Sequence, residues 1–333
     1  MASSVETLRA LLVAHAGAAA GSLTLAPAAP RGREERYTAR GGDVSLDIRL
    51  YPPSERDIAR RENAGLRLAG AVGLAPALIY GGEDTHWPGS FVLIVQEPRG
   101  ERLGGRPLSD AEMDSWLFLL LTLHHLRPDP ATQPLSLNTD LTAWWNALQP
   151  TWESCRIAYA GQKYAQLMLA MSQLHAITQV RIETNRGLWR DITLRPCHGA
   201  PSPERLVADG ARLNLTDWSA FGLGDPAVEV AHVSVQAALT SQLTNEQYAR
   251  FLTTYLNGMR DLRDTTFEER LRMFTSVAPM GFAITALAAL AQTGAANKEA
   301  HLTYLRRLDR ALIWMQALGV DFGDPAKLLA PLA

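Results

Sequence analysis

Residues 43–51, DVSLDIRLY, alternate strictly between apolar and polar side chains. Val44, Leu46, Ile48 and Leu50 fall on one side, and Asp43, Ser45, Asp47 and Arg49 on the other. Successive side chains of an extended chain point to opposite faces, so this period predicts a half-buried strand. Pro52 and Pro53 remove two backbone donors and end it. The period then changes. A helix is expected over about residues 55–72, with Ile58, Glu62, Leu66 and Ala69 spaced four, four and three along its inward stripe. Glu62 is the constraint. A carboxylate on an apolar stripe is costly unless a cation meets it, and Arg49 on the preceding strand is the nearest candidate. Either strand and helix pack with Arg49 against Glu62, or the stripe is rotated and Glu62 stands in water.

The pattern shifts again near residue 97. FVLIVQE (91–97) reads as another apolar strand, and PRGERLGG, rich in glycine, proline and charge, as a linker. Helical spacing dominates beyond it: residues 110–126, residues 162–180 (Tyr164, Leu167, Met168, Met171, Leu174, Ile177) and several helices within 244–318. With 333 residues, 47% of them hydrophobic, the chain can bury a substantial core. Its 32 Lys and Arg nearly balance 34 Asp and Glu, which argues against nucleic acid or an anionic membrane as a partner. The apolar runs WLFLLLTL near 116 and FAITALAALA near 282 are shorter than the ~18–20 residues of a membrane span and read as buried core helices. The N-terminal segment has a short apolar run ending in small residues, but Glu6 precedes Arg9 and no basic stretch opens it, so a secretion leader is not expected. Cys155 and Cys197 can form neither a disulfide framework nor a four-thiolate zinc site, and a reducing cytoplasm is the expected setting.

Residues 196–218, PCHGAPSPERLVADGARLNLTDW, hold the chemistry. Asp209-Gly210 is a two-residue hairpin signal, with LVA before it and ARLNL after. Such a hairpin brings the loop 198–205 back beside Asp217, which falls roughly opposite Ser202.

The order and spacing of these residues resemble the aminoglycoside phosphotransferase and choline kinase family, in which a loop H-G-D-x-x-x-x-N, a short hairpin, an Asp-Trp or similar pair and G-D-P-x-x-D-x-A follow one another. Here stand His198-Gly199, the DG hairpin, Asp217-Trp218 and Gly224-Asp225-Pro226-Ala227-Val228-Glu229-Val230-Ala231. DIRLYPP resembles the strand carrying the phosphate-pairing cation, Arg49, and Arg61-Glu62 the helix whose Glu pairs with it. LAPALIYGG, FVLIVQEPRGERL and Leu123-His124 resemble the strand, hinge and large-lobe helix that follow. The resemblance covers about residues 24–235. It implies an α+β, two-lobed protein-kinase-like fold: a small N-terminal lobe with an antiparallel sheet (1–97) and a larger, mainly helical lobe (98–333) containing the catalytic-loop region 196–231. It also implies a nucleotide, ATP or another, between the lobes against Gln96 and Glu97, with Arg49 and Glu62 at its phosphates and Asp217 as ligand to any Mg2+.

Two positions depart from the family's loop. Its Asp, which orients or takes the proton of the attacking hydroxyl, aligns with Ala200; its metal-binding Asn aligns with Arg205. A methyl group can move no proton, and general-base help is typically worth ~100- to 10,000-fold. A guanidinium has no acceptor and cannot ligate a metal. Mg2+ could still bind through Asp217, water and phosphate oxygens, or Arg205 could itself neutralise phosphate. The phosphate-covering turn carries only Gly32, with Arg31, Arg33 and Arg36 around it, either to contact phosphate or to stand solvated. Asp191 and His198 are the candidates for a substitute base, although His198 fits a scaffold role better. Asp225 before Pro226 reads as a helix cap. Trp144-Trp145 reads as core, with a cation-binding face for an aminated substrate as the alternative. Three functions follow: a nucleotide-binding pseudokinase; an active ATP-dependent phosphotransferase of a small hydroxylated substrate using a displaced base; and a scaffold that binds a protein partner without a nucleotide.

Overall fold

In the computed structural model the described residues are 5–85, 87–128, 130, 135–137, 140–210, 212–260, 264–293, 297–319 and 321–332. The chain divides into two compact units: residues 1–104, 114–137 and 195–224, and residues 105–113, 138–194 and 225–333.

The first unit opens with α1 (Val5–Ala16), followed by β1 (Thr24–Ala28), β2 (Glu35–Gly41), β3 (Val44–Tyr51), α2 (Arg56–Gly70), β4 (Leu78–Glu83) and β5 (Phe91–Gln96). The strands form one antiparallel sheet in the order β1-β2-β3-β5-β4. Leu46, Ile48 and Leu50 of β3 pack with Leu8, Leu11 and Leu12 of α1, so the N-terminal apolar run is a core helix. The half-buried expectation for β3 needs correction: both faces are buried, because Asp47 and Arg49 on the other face are neutralised by partners rather than by water. The α2 stripe is also corrected. Ala59, Glu62, Leu66 and Ala69 are buried, whereas Ile58 is 39% exposed.

The expected linker is not one. Glu101–Arg102 is a short strand, β6, and α3 (Asp110–His125) follows. The unit ends with β7 (Arg195–Cys197), β8 (Leu206–Asp209), β9 (Arg212–Leu215) and β10 (Gly222–Gly224). β6 pairs with β8 and β8 with β9, while β10 pairs with β7. Gly100 makes this possible: at φ +115° its Cα lies so close to β8 that a Cβ would sit 1.8 Å from the Ala208 carbonyl oxygen. The hairpin register is one step beyond the expected one. Leu206 pairs with Leu215 and Asp209 with Arg212, because Gly210, at φ +59°, takes the first loop position instead of the second.

The second unit is helical: α4 (Leu141–Ala158), α5 (Ala165–Asn185), α6 (Pro226–Leu239), α7 (Asn245–Gly258), α8 (Phe267–Thr293), α9 (Lys298–Ala317) and α10 (Pro325–Leu329). Asp225 caps α6 as expected, accepting the Ala227 N–H at 3.0 Å with Pro226 in the first turn. It does more: Arg270, fully buried, donates to both Asp225 oxygens at 2.7 and 3.2 Å and to Asp264 at 2.8 Å. α8 is longer than its apolar run suggested. By length and composition it is the one described helix able to cross a bilayer, and 61% of its apolar window is buried within the protein. Trp145 is core, and the Trp144 ring lies tilted against that of Phe274, 4.8 Å between centroids.

His232 of α6 lies among rings, 4.8 Å from Phe282 and 6.5 Å from Phe274. Burial pushes its pKa down to about 4, with Glu229 pulling the other way. The unfolded chain, with an ordinary value of ~6.5, takes up the proton first. Stability is therefore complete above ~6.5 and falls as pH drops towards 4, by on the order of 3 kcal/mol for this group. Thermal unfolding scanned from pH 7 to 4 should show that slope, and His232→Gln should flatten it.

Candidate functional site

Three buried charges meet where β3 faces α2. Arg49 donates through Nε and Nη2 to Asp47 (3.0 and 2.6 Å) and through Nη1 to Glu62. Glu62 also accepts from the Tyr51 hydroxyl. From β2, Arg36 makes a bidentate pair with Asp47 at 2.7 and 2.9 Å. The rotated-helix alternative is excluded: Glu62 is 1% exposed and meets its cation. Burial alone would raise the Asp47 pKa, but Arg49 and Arg36 hold it below the usual carboxylate value. Burial likewise opposes charge on Arg49, yet Glu62 and Asp47 lift it well above its ordinary value. Burial and Glu62 push the Tyr51 phenol up. The pair Arg49–Glu62 was legible in the sequence; the part played by Asp47 could have been, since it shares a strand face with Arg49.

The catalytic-loop region lies in the same unit. His198 is fully buried, its Nε2 3.0 Å from the Thr216 carbonyl oxygen and its ring edge-on to Trp218 at 4.6 Å. The Ala200 N–H approaches Nδ1 at 3.4 Å, which assigns the proton to Nε2 and leaves neither nitrogen free as a base. His198 is therefore a scaffold. Gly199 is required at φ +92°, where a Cβ would meet the Ala220 carbonyl oxygen at 2.4 Å. Asp191, also left-handed (φ +55°) and exposed, belongs to the second unit.

Asp217 is where the region departs from a metal site. Arg205 donates to the Ala200 carbonyl oxygen at 3.0 Å and stands 3.3 Å from Asp217 Oδ2. Arg31, from the turn before β2, stands 3.5 Å from Oδ1, which also accepts from the Ser219 hydroxyl at 2.8 Å. The turn is tied down by Glu34, buried, which accepts the Arg31 and Gly32 N–H groups at 2.6 and 2.7 Å. Burial would raise the Asp217 pKa; Arg205, Ser219, Arg31 and His198 together lower it. Arg31 is pulled below its ordinary value by burial and by the like charges of Arg49 and Arg36, with Asp217 and Glu62 opposing. Neither the Arg31 contact nor Glu34 had a signal in the sequence, because a turn has no period.

Arg31, Arg36, Asp47, Arg49, Glu62 and Asp217 line one cavity of about 30 Å³, with Gln96 and Glu97 also on its wall. The predicted residues are thus brought together, but the space is filled by their own side chains. The run 96–98 offers few donors: the Gln96 N–H goes to Ala77 O at 2.8 Å, the Glu97 N–H to Ser45 O at 2.9 Å, and Pro98 has none. The Glu97 carboxylate is engaged by Ser45 and Arg40 at 2.7 and 3.0 Å; burial pushes its pKa up, and these two partners together outweigh burial and lower it.

These residues do not fit a divalent cation. Asp47 and Glu62 are held by Arg36 and Arg49, both Asp217 oxygens are engaged, and two guanidiniums stand beside Asp217 where metal charge would fall.

No protein-family model matches the chain. Protein LicA of Haemophilus influenzae is 33% identical over 79 residues; that stretch is 24% of this chain and 22% of the relative. Solved structures match along nearly the whole length. Spectinomycin phosphotransferase, solved with ADP and spectinomycin, covers 99% of both chains at TM-score 0.57 and 12% identity. A choline/ethanolamine kinase family protein from Mesorhizobium loti covers 98% of both at TM-score 0.53 and 16% identity. Plasmodium vivax ethanolamine kinase aligns over 90% of this chain and 85% of its own at TM-score 0.55 and 12% identity. The five-stranded antiparallel sheet, the α2 carboxylate paired to β3 and the loop–hairpin–Asp217 sequence are thus set in the kinase-like fold that aminoglycoside phosphotransferases and choline/ethanolamine kinases share.

Proposed function

We propose that the chain is a pseudokinase: a phosphotransferase-like protein that holds the phosphates of a nucleotide with arginine in place of metal and transfers nothing. The carrying observation is Asp217 lying between Arg205 and Arg31. With Ala200 at the base position and His198 committed to the backbone, neither of these two loop residues can take a hydroxyl proton. The Arg31 pKa is lowered first by burial and then by crowding from Arg49 and Arg36, and an anion would relieve the crowding. Admission of a phosphate chain requires Arg31 to leave Asp217 and turn to the ligand, a small motion for a side chain about a third exposed. That neighbours of this fold are solved with nucleotides supports ATP or ADP as the first ligands to try.

Thermal unfolding with ATP or ADP, each with and without Mg2+, tests this. Nucleotide at ~100 times its Kd should stabilise by about 2.7 kcal/mol without Mg2+. Arg205→Ala should abolish that shift. A shift that requires Mg2+ overturns the arginine-for-metal reading. Phosphotransfer to a small hydroxylated compound at the ~1–100 s⁻¹ of ordinary kinases overturns the pseudokinase reading, and its loss in Asp191→Ala would identify the displaced base.

A further inference from the structure

Between α6, α8 and α9, within the second unit, lies a cavity of about 270 Å³. Leu239, Phe282, Ala286 and Ala289 give it apolar walls, and Tyr304 and Arg307 reach it from α9. Two hydroxyls on its wall are spent inside their own helices: Thr240 donates to the Gln236 carbonyl at 2.9 Å and Thr285 to that of Gly281 at 3.1 Å. Arg307 differs. Its Nε–H is buried and meets no acceptor, while its guanidinium carbon lies 5.8 Å above the Tyr304 ring.

A buried donor without an acceptor is costly, and the exceptions call for a partner. An apolar space of ~150 Å³ already takes up a benzene-sized guest. We propose that this cavity binds a small amphipathic anion, a monocarboxylate with a hydrocarbon body. Nε presents no accessible surface to the cavity, so the Arg307 side chain turns for the carboxylate to accept from Nε–H and the adjacent Nη–H, the two-pronged match that guanidinium offers carboxylate. The body lies against Phe282, Ala286 and Ala289. Scaling from the benzene case, roughly eight carbons fit. This site shares no residue with the charged cavity of the first unit, so it stands whether or not a nucleotide binds there.

The test uses the full chain, sodium octanoate and its neutral counterpart 1-octanol, by calorimetric titration and thermal unfolding. The expected result is saturable one-to-one binding of octanoate, at least ~10-fold tighter than 1-octanol. Arg307→Met should remove that preference while the alcohol still binds, and Ala286→Leu, which fills the cavity, should remove both. Equal affinity of the wild-type protein for the two compounds overturns the proposal, as does the absence of saturable octanoate binding. Octanoate binding unchanged in Ala286→Leu would place the ligand elsewhere and overturn it as well.

Discussion

Replacing Arg270 by methionine is expected to destabilise the second unit by about 3–5 kcal/mol, the usual consequence of leaving a buried charge without its partner. Arg270 and Asp225 are both fully inaccessible, and Arg270 also holds Asp264. Methionine matches the length of the aliphatic stem but brings no donor. Asp225 keeps only the Ala227 N–H and whatever its remaining neighbours supply, at the point where α6 begins. A fall in Tm of about 4–7 °C follows for a chain of this size. The guanidinium is held well above its ordinary pKa by the two carboxylates against the effect of burial, so raising the pH through the alkaline range will not mimic the substitution. A Tm within ~2 °C of the wild type would show that Asp225 finds another cation.

Glu62→Leu is the second large effect, and its companion variant makes it diagnostic. Alone, the substitution leaves Arg49 with Asp47, which Arg36 already satisfies, so one guanidinium in a buried site loses its compensation. The Tyr51 hydroxyl loses its acceptor as well. A loss of about 3–5 kcal/mol is expected from the ion pair, with ~1–3 kcal/mol more from the orphaned hydroxyl. Removing the network together, as Glu62→Leu with Arg49→Met and Tyr51→Phe, should recover most of that stability, because apolar groups of similar volume do not need one another. The triple variant should also lose any nucleotide-dependent shift. Stability recovered with the shift intact would mean that Arg49 serves the fold and not a ligand.

The Arg49–Glu62 pair could be read in advance because two periods crossed and the family resemblance chose between the two alternatives they left. Alternation put Arg49 on one strand face, helical spacing put Glu62 on an apolar stripe, and a buried carboxylate demands a cation. The kinase-like fold was legible for a similar reason: the loop, hairpin and Asp217 keep their order and spacing. What period cannot supply was not legible. Arg270 is one arginine among many on long helices, and nothing local marks it as the buried one. Arg31 reaches Asp217 from a turn far away in sequence. The hairpin slipped by a step because Gly210 serves either loop position. The PRGERLGG segment read as a linker on composition, although Gly100 is there so that β6 can lie against β8.

Gly65 sits on α2, one turn beyond Glu62, and a side chain there would lie 2.7 Å from the Trp218 ring and 2.8 Å from that of Phe221. The missing methyl lets those rings seat directly on the helix backbone, and Asp217 is the residue just before them. The helix and the aspartate are therefore geared. Trp218, Phe221 and the helix that carries Glu62 thus share one contact surface, so a bulkier residue at position 65 disturbs the Arg49–Glu62 pair and the Asp217 loop together.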